Sequence, residues 1–104
     1  SLLGVVIDQL KAEYSVNGLS RDVVVKNELG LHARSATRIA KIAQKGKSNV
    51  WVIKDSTKAD ASSVIDLLTL ACEKGSTITI QVDDPKDLAL LNEMVDLVES
   101  GFGE

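Results

Sequence analysis

Gly30-Leu31-His32-Ala33-Arg34 is the stretch whose residue types and spacing could do chemistry, and it holds the chain's single histidine. Gly30 eases the approach of a loop, and His32 stands just before a run of helical periodicity. A helix start presents unpaired backbone N–H groups and a partial positive charge. If the imidazole carried a phosphoryl group, the N–H groups of Ala33, Arg34 and Ser35 could hold its oxygens. Arg34 adds a planar fork of donors to the same oxygens. The set suits covalent phosphorylation of histidine, with His32 as nucleophile and Arg34 as its charged partner. A metal centre fits worse: one histidine and one cysteine, Cys72, do not make an ordinary zinc site, and no cofactor is called for. A lone histidine at a loop–helix junction is also commonly a cap or a surface residue, so the motif alone leaves both readings open.

The flanking sequence supplies elements to position these residues. Val23-Val24-Val25, within Asp22 to Lys26, reads as a β-strand, and Asn27 to Gly30 as the loop after it. From Ala33 to Gln44 the apolar residues Ala36, Ile39, Ala40 and Ala43 form one helical stripe, closed by Lys45-Gly46. Val50 to Ile53 is a second strand, and Asp55-Ser56-Thr57 turns into a short strand, Lys58 to Ala61. Ser62-Ser63 offer an N-cap to an apolar helix from Val64 to about Ala71. Ile78, Ile80 and Val82 alternate with Thr77, Thr79 and Gln81, a half-buried strand. Asp84-Pro85 is a cap followed by proline at the first helical position, and Leu88, Leu91, Val95 and Val98 carry the last helix to Glu99. Leu3, Val6, Leu10 and Tyr14 predict an amphipathic helix from Ser1 to about Glu13, ended by Asn17-Gly18, with a linker to Ser20. The expected order is α–β–α–β–β–α–β–α, an α+β fold with an antiparallel sheet covered on one face by helices.

Composition bounds the function. A chain of 104 residues, 44% of them hydrophobic, is one domain able to bury a core without disulfides or metal. Twelve Lys+Arg against fifteen Asp+Glu give a net charge of −3, which argues against a bulk electrostatic binder of nucleic acid or membrane. No apolar run approaches a membrane span and no signal-peptide pattern is present, so a cytoplasmic protein is expected.

The segment Gly30-Leu31-His32-Ala33-Arg34-Ser35-Ala36-Thr37 resembles the active-site segment of HPr, the histidine-containing phosphocarrier of the bacterial phosphoenolpyruvate:sugar phosphotransferase system. The resemblance runs over roughly Arg21 to Val98. It implies an open-faced βαββαβα sandwich with a four-stranded antiparallel sheet over residues 21–104, and leaves residues 1–20 as an added N-terminal helix and linker. It also implies a phosphoryl carrier rather than a stand-alone enzyme. Phosphate would reach Nδ1 of His32 from Enzyme I and leave for an EIIA-type protein, with Arg34 contacting it. A second landmark, Asp60-Ala61-Ser62-Ser63-Val64-Ile65, puts Ser63 where some bacteria phosphorylate a serine with a dedicated kinase. A regulatory module acting through Ser63 or His32, or a nitrogen-related relay, is the competing reading.

Two departures from the family pattern bear on function. Ser35 stands where proline is usual, which predicts a preserved site with a slightly less rigid helix start. On the docking helix Val64 and Ile65 keep the apolar pair, but Ser62 and Asp66 stand where basic residues are frequent, so partner choice is expected to differ. Arg34, Arg38, Lys41 and Lys45 form a basic stripe leading away from His32, either a docking strip for acidic partners or a solvated face. Cys72 is expected to be a buried small hydrophobe, and Trp51 to pack in the core or on the open sheet face. The N-terminal apolar stripe needs a surface: the domain's own open sheet, a twin chain in a homodimer, or another protein.

Overall fold

The computed structural model describes residues 13–15 and 18–104. Its elements are β1 (Glu13–Ser15), β2 (Gly18–Val24), α1 (Ala33–Ala43), β3 (Val50–Lys54), β4 (Thr57–Asp60), α2 (Val64–Thr69), β5 (Thr77–Val82) and α3 (Leu88–Glu99), with single 3-10 turns at Pro85–Asp87 and Gly101–Gly103. The strands form one antiparallel sheet in the order β1-β2-β5-β3-β4. Four of them are the strands expected of an open-faced sandwich, and β1 adds a fifth at the β2 edge.

Alternation sets the faces. Ile78, Ile80 and Val82 of β5, Val50 and Val52 of β3, and Leu19 and Val23 of β2 point into the core. There they meet Ala36, Ile39, Ala40 and Ala43 of α1 and Leu91, Met94, Val95 and Val98 of α3. The small alanines of α1 are buried, and that helix packs against α2 and α3. Asp55 and Ser56 both have positive φ (49° and 69°), the geometry of a tight two-residue turn between β3 and β4. Trp51 lies on the face the helices leave open, half-buried, with Nε1 donating to the Asp83 carboxylate at 3.1 Å and Lys58 4.6 Å above its ring. No described helix is long and apolar enough to cross a membrane.

The N-terminal boundary differs from the sequence expectation. Glu13 and Tyr14 belong to a strand, not to a helix, and Gly18–Ser20 is the first part of β2 rather than a linker. Leu19 pairs with Val82 and is buried, so hydrogen bonding to β5 extends the strand past the β-branched run that marked it in sequence. The expected helix over residues 1–12 lies outside the described residues. Within the domain, α2 stops at Thr69, one turn or less short of the expected end, because Leu70 caps it and Ala71 turns to φ +52°.

A buried carboxylate ties the start of α3 to the far end of α1. Asp87 accepts from Lys47 N–H at 3.1 Å, Ser48 N–H at 3.0 Å and Ser48 Oγ–H at 2.8 Å. Burial pushes its carboxyl up, but these hydrogen bonds outweigh it and hold the group below the usual carboxylate range. A depressed folded-state value means that the stabilisation is present above the ordinary aspartate value of 3.8 and is lost as pH falls through the folded one. The urea midpoint is therefore expected to fall in acid below that value, and Asp87→Asn to flatten the acid limb while costing on the order of 1–3 kcal/mol at pH 7.

Candidate functional site

His32 is the N-cap of α1, with an extended backbone (φ −128°, ψ −178°). Its ring reaches back over the helix start, and Nδ1 accepts the Arg34 N–H at 3.3 Å. The reciprocal half of a capping box comes from Ser35, whose Oγ accepts the His32 N–H at 2.9 Å. The Ser35 hydroxyl is fully buried and also lies 3.2 Å from the carbonyl oxygens of Gly30 and His32. The residue that replaces proline thus braces the helix start with side-chain hydrogen bonds that proline could not make. Ser35→Ala is expected to cost about 1–2 kcal/mol, read as a fall of several degrees in Tm.

Gly30 sets the height of the loop. Its φ is +64°, and a Cβ there would lie 2.3 Å from the Cys72 carbonyl oxygen. The same carbonyl accepts the Leu31 N–H at 2.8 Å, so the loop before His32 is fastened to the chain just after α2. Cys72 is buried as expected, and burial pushes its thiol up. The side chain is packing, not chemistry.

The other ring nitrogen is held by a residue that no motif marks. Nε2 of His32 lies 2.8 Å from Oε2 of Glu104. The second oxygen of that carboxylate accepts from Asn27 Nδ2 at 3.0 Å, and the same amide donates to the Gly30 carbonyl at 2.7 Å. The Asn27 amide holds the Glu104 carboxyl below the usual carboxylate range; partial desolvation opposes this, and the His32 ring and Arg34 add to it. The C-terminal turn is placed by Phe102, fully buried with φ +60°, and by Arg38, whose guanidinium donates to the Phe102 carbonyl.

The expected basic stripe is divided by these contacts. Arg38 is engaged with Phe102, and Lys45 pairs with Glu93 at 3.1 Å, whereas Arg34 in the first turn of α1 and Lys41 in its last turn are exposed. Ser63 caps α2 as predicted, its Oγ accepting the Asp66 N–H at 3.2 Å. Asp66 turns its carboxylate back to the Asp60 N–H at 3.0 Å, and Asp60 accepts from the Ser62 hydroxyl at 2.7 Å. The two acids therefore join β4 to α2. Val64 is half-buried, Ile65 is 78% exposed, and Leu68 and Leu29 are further exposed apolar residues that the sequence reading did not single out. Sequence periodicity could have found Leu68, three positions after Ile65. Nothing local marks Glu104, 72 positions from His32.

An antiparallel sheet with three helices on one face and a histidine capping the first of them defines an open-faced βαββαβα sandwich with an imidazole at a helix start. Residues 19–100 match the family model described as the PTS HPr component phosphorylation site. The chain is 33% identical to the phosphocarrier protein HPr of Neisseria meningitidis serogroup A over 86 residues, covering 83% of this chain and 97% of that protein. It is 37% identical to the phosphocarrier protein NPr of Shewanella violacea, covering 83% of this chain and 94% of that one. The crystal structure of HPr-C-His from Thermoanaerobacter tengcongensis superposes with a TM-score of 0.77 at 33% identity, covering 82% of this chain and 96% of that chain. The chain belongs to the HPr family.

Proposed function

We propose that this HPr-family phosphocarrier takes its phosphoryl group on Nδ1 of His32 and passes it on. The donor in this reading is phospho-Enzyme I and the acceptor an EIIA-type protein, in a cytoplasmic relay. One observation carries the assignment: Nδ1 faces the backbone N–H groups that open α1, while Nε2 is occupied by Glu104. The Nδ1 lone pair attacks phosphorus, the bond to the donor breaks, and its electron pair stays with the donor. Oxygens arriving at Nδ1 take over the Arg34 N–H and neighbouring N–H groups, and the exposed Arg34 side chain adds its donors. Little further machinery is needed, because such transfers depend on positioning two reactive groups in line.

Docking in this reading uses Val64 and Ile65 with the cations Arg34 and Lys41, and Arg38 contributes through the turn it braces. The match to NPr favours a nitrogen-related relay as the specific alternative to sugar uptake. Regulation by a kinase at Ser63 has less support, because that hydroxyl already serves as a cap beside the carboxylates of Asp60 and Asp66. The test is incubation of the chain with phosphoenolpyruvate and Enzyme I. An acid-labile, base-stable phosphate on the intact protein is expected, followed by its loss on addition of an EIIA protein. Absence of any label overturns the reading, and an acid-stable phosphate formed only with ATP and a kinase would favour the regulatory module.

A further inference from the structure

The proposed transfer uses one ring nitrogen of His32 and leaves open what fixes the proton on the other. A neutral imidazole has two tautomers, and only the one protonated at Nε2 leaves a lone pair on Nδ1. Glu104 Oε2 sits 2.8 Å from Nε2 and, as a carboxylate, can only accept a hydrogen bond. On the opposite side of the ring, Nδ1 meets the Arg34 N–H, which can only donate. Both contacts therefore select the same tautomer. The carboxylate itself has a fixed bearing, because Asn27 holds its other oxygen at 3.0 Å and is in turn tied to the Gly30 carbonyl at 2.7 Å. Asn27 is buried, so this bearing rests on the loop that also carries His32.

We propose that Glu104, aimed by Asn27, is a positioning residue that keeps the proton on Nε2 of His32 throughout the transfer cycle. The inference rests on His32 being the phosphoryl carrier. When Nδ1 attacks, the donor's bond to phosphorus breaks and the ring becomes a phospho-imidazolium whose Nε2–H faces the Glu104 carboxylate. When phosphate moves on, the N–P electron pair returns to Nδ1 and the ring leaves as a neutral imidazole with the same proton still on Nε2. No proton is gained or lost in the cycle. A phosphoryl group on a positively charged ring has the better leaving group, so Glu104 favours onward transfer over long storage.

Among the described residues, the Glu104 carboxylate faces the ring, and the Arg34 guanidinium is near enough to help lower that carboxyl. Lys26, Glu28 and Glu99 line the cleft of about 480 Å³ on the outer side of Glu104. The Glu104 side chain is 23% exposed, and in Glu104→Gln the amide oxygen can still accept from Asn27, so that variant keeps the turn in place.

The experiment compares the full chain with Glu104→Gln and Glu104→Ala, using nitrogen-15 imidazole spectra and phosphoryl-transfer rates. A glutamine amide can accept from Nε2–H or donate to a bare Nε2, so it releases the tautomer choice while keeping the shape. In the unphosphorylated wild-type chain with the ring neutral, the Nε2–H tautomer is expected to dominate. Both variants are expected to populate the Nδ1–H form visibly. Onward transfer is expected to slow roughly 10- to 100-fold, on the scale that loss of an orienting partner has for a metal-bound histidine. The phosphorylated variants should also outlast the wild type at neutral pH, with the pH profile of phosphate loss displaced to lower pH. Identical tautomer ratios in all three proteins overturn the proposal whether or not phosphorylation occurs. Failure of the wild type to accept phosphate, with the tautomer shift intact, would instead strike the carrier reading and spare the contact.

Discussion

A His32→Ala variant is expected to acquire no acid-labile phosphate from phosphoenolpyruvate and Enzyme I, a loss of at least about 1,000-fold in labelling rate. The chain contains no second imidazole that could substitute. The loss must be separated from unfolding, because His32 is also the cap of α1. Removing a cap costs about 1 kcal/mol, a small part of the 5–15 kcal/mol typical of a domain. His32→Asn makes the separation cleaner: asparagine keeps a side-chain oxygen to accept the helix N–H groups but has no ring nitrogen to attack phosphorus. Both variants should unfold cooperatively near the wild-type midpoint, and His32→Asn nearer than His32→Ala. A phosphate that survived both substitutions would place the acceptor elsewhere in the chain.

The second large effect is expected at Gly30→Ala. The new Cβ would sit 2.3 Å from the Cys72 carbonyl oxygen, a backbone atom that cannot swing aside. An L-residue at φ +64° costs roughly 1–2 kcal/mol by itself. Relief requires the loop to lift, which breaks the Leu31 N–H bond to that same carbonyl and pulls Gly30 O away from Asn27 and Ser35. The combined loss should exceed about 3 kcal/mol, seen as a Tm fall on the order of 15 °C. Phosphorylation should fall with it even below the melting range, because His32 and Asn27 share that loop and both hold Glu104. A fully active, equally stable Gly30→Ala protein would show that the loop height is not set there.

Much of the fold was legible because single elements announced themselves. The alternation of Thr77 to Val82 marked β5 to the residue, and the alanine-lined stripe of α1 marked the face it buries. Ser63 and Asp84 both cap as their positions suggested. The boundary at β1 and β2 was not legible, because spacing of three and four through Tyr14 reads as helix when the competing sheet edge is unseen. Pairing across the sheet decided those residues, and pairing is a long-range property.

The site divides in the same way. His32, Arg34 and Ser35 sit within four positions of one another, so a motif could present them together, and sequence alone offers Ser35 as a backbone N–H donor and a less rigid helix start than proline. Its hydroxyl became informative once the distance to the His32 N–H was known. Glu104 lies on another segment and meets the ring only after the sheet and α3 are assembled, and Asn27, five positions before His32, acts on the ring only through Glu104. Arg38 shows the converse: its place in a charged stripe suggested a partner outside the chain, while its guanidinium is directed to the Phe102 carbonyl.

Trp51 carries a practical consequence. It is the chain's only tryptophan and lies on the sheet face opposite the helices, its indole N–H bonded to Asp83 and its ring beneath Lys58. Its emission is a built-in optical gauge of whether the sheet is assembled, set apart from the histidine that caps α1. Loss of that signal in a variant would mean the scaffold has failed; an unchanged signal in an inactive variant would mean the chemistry alone has stopped.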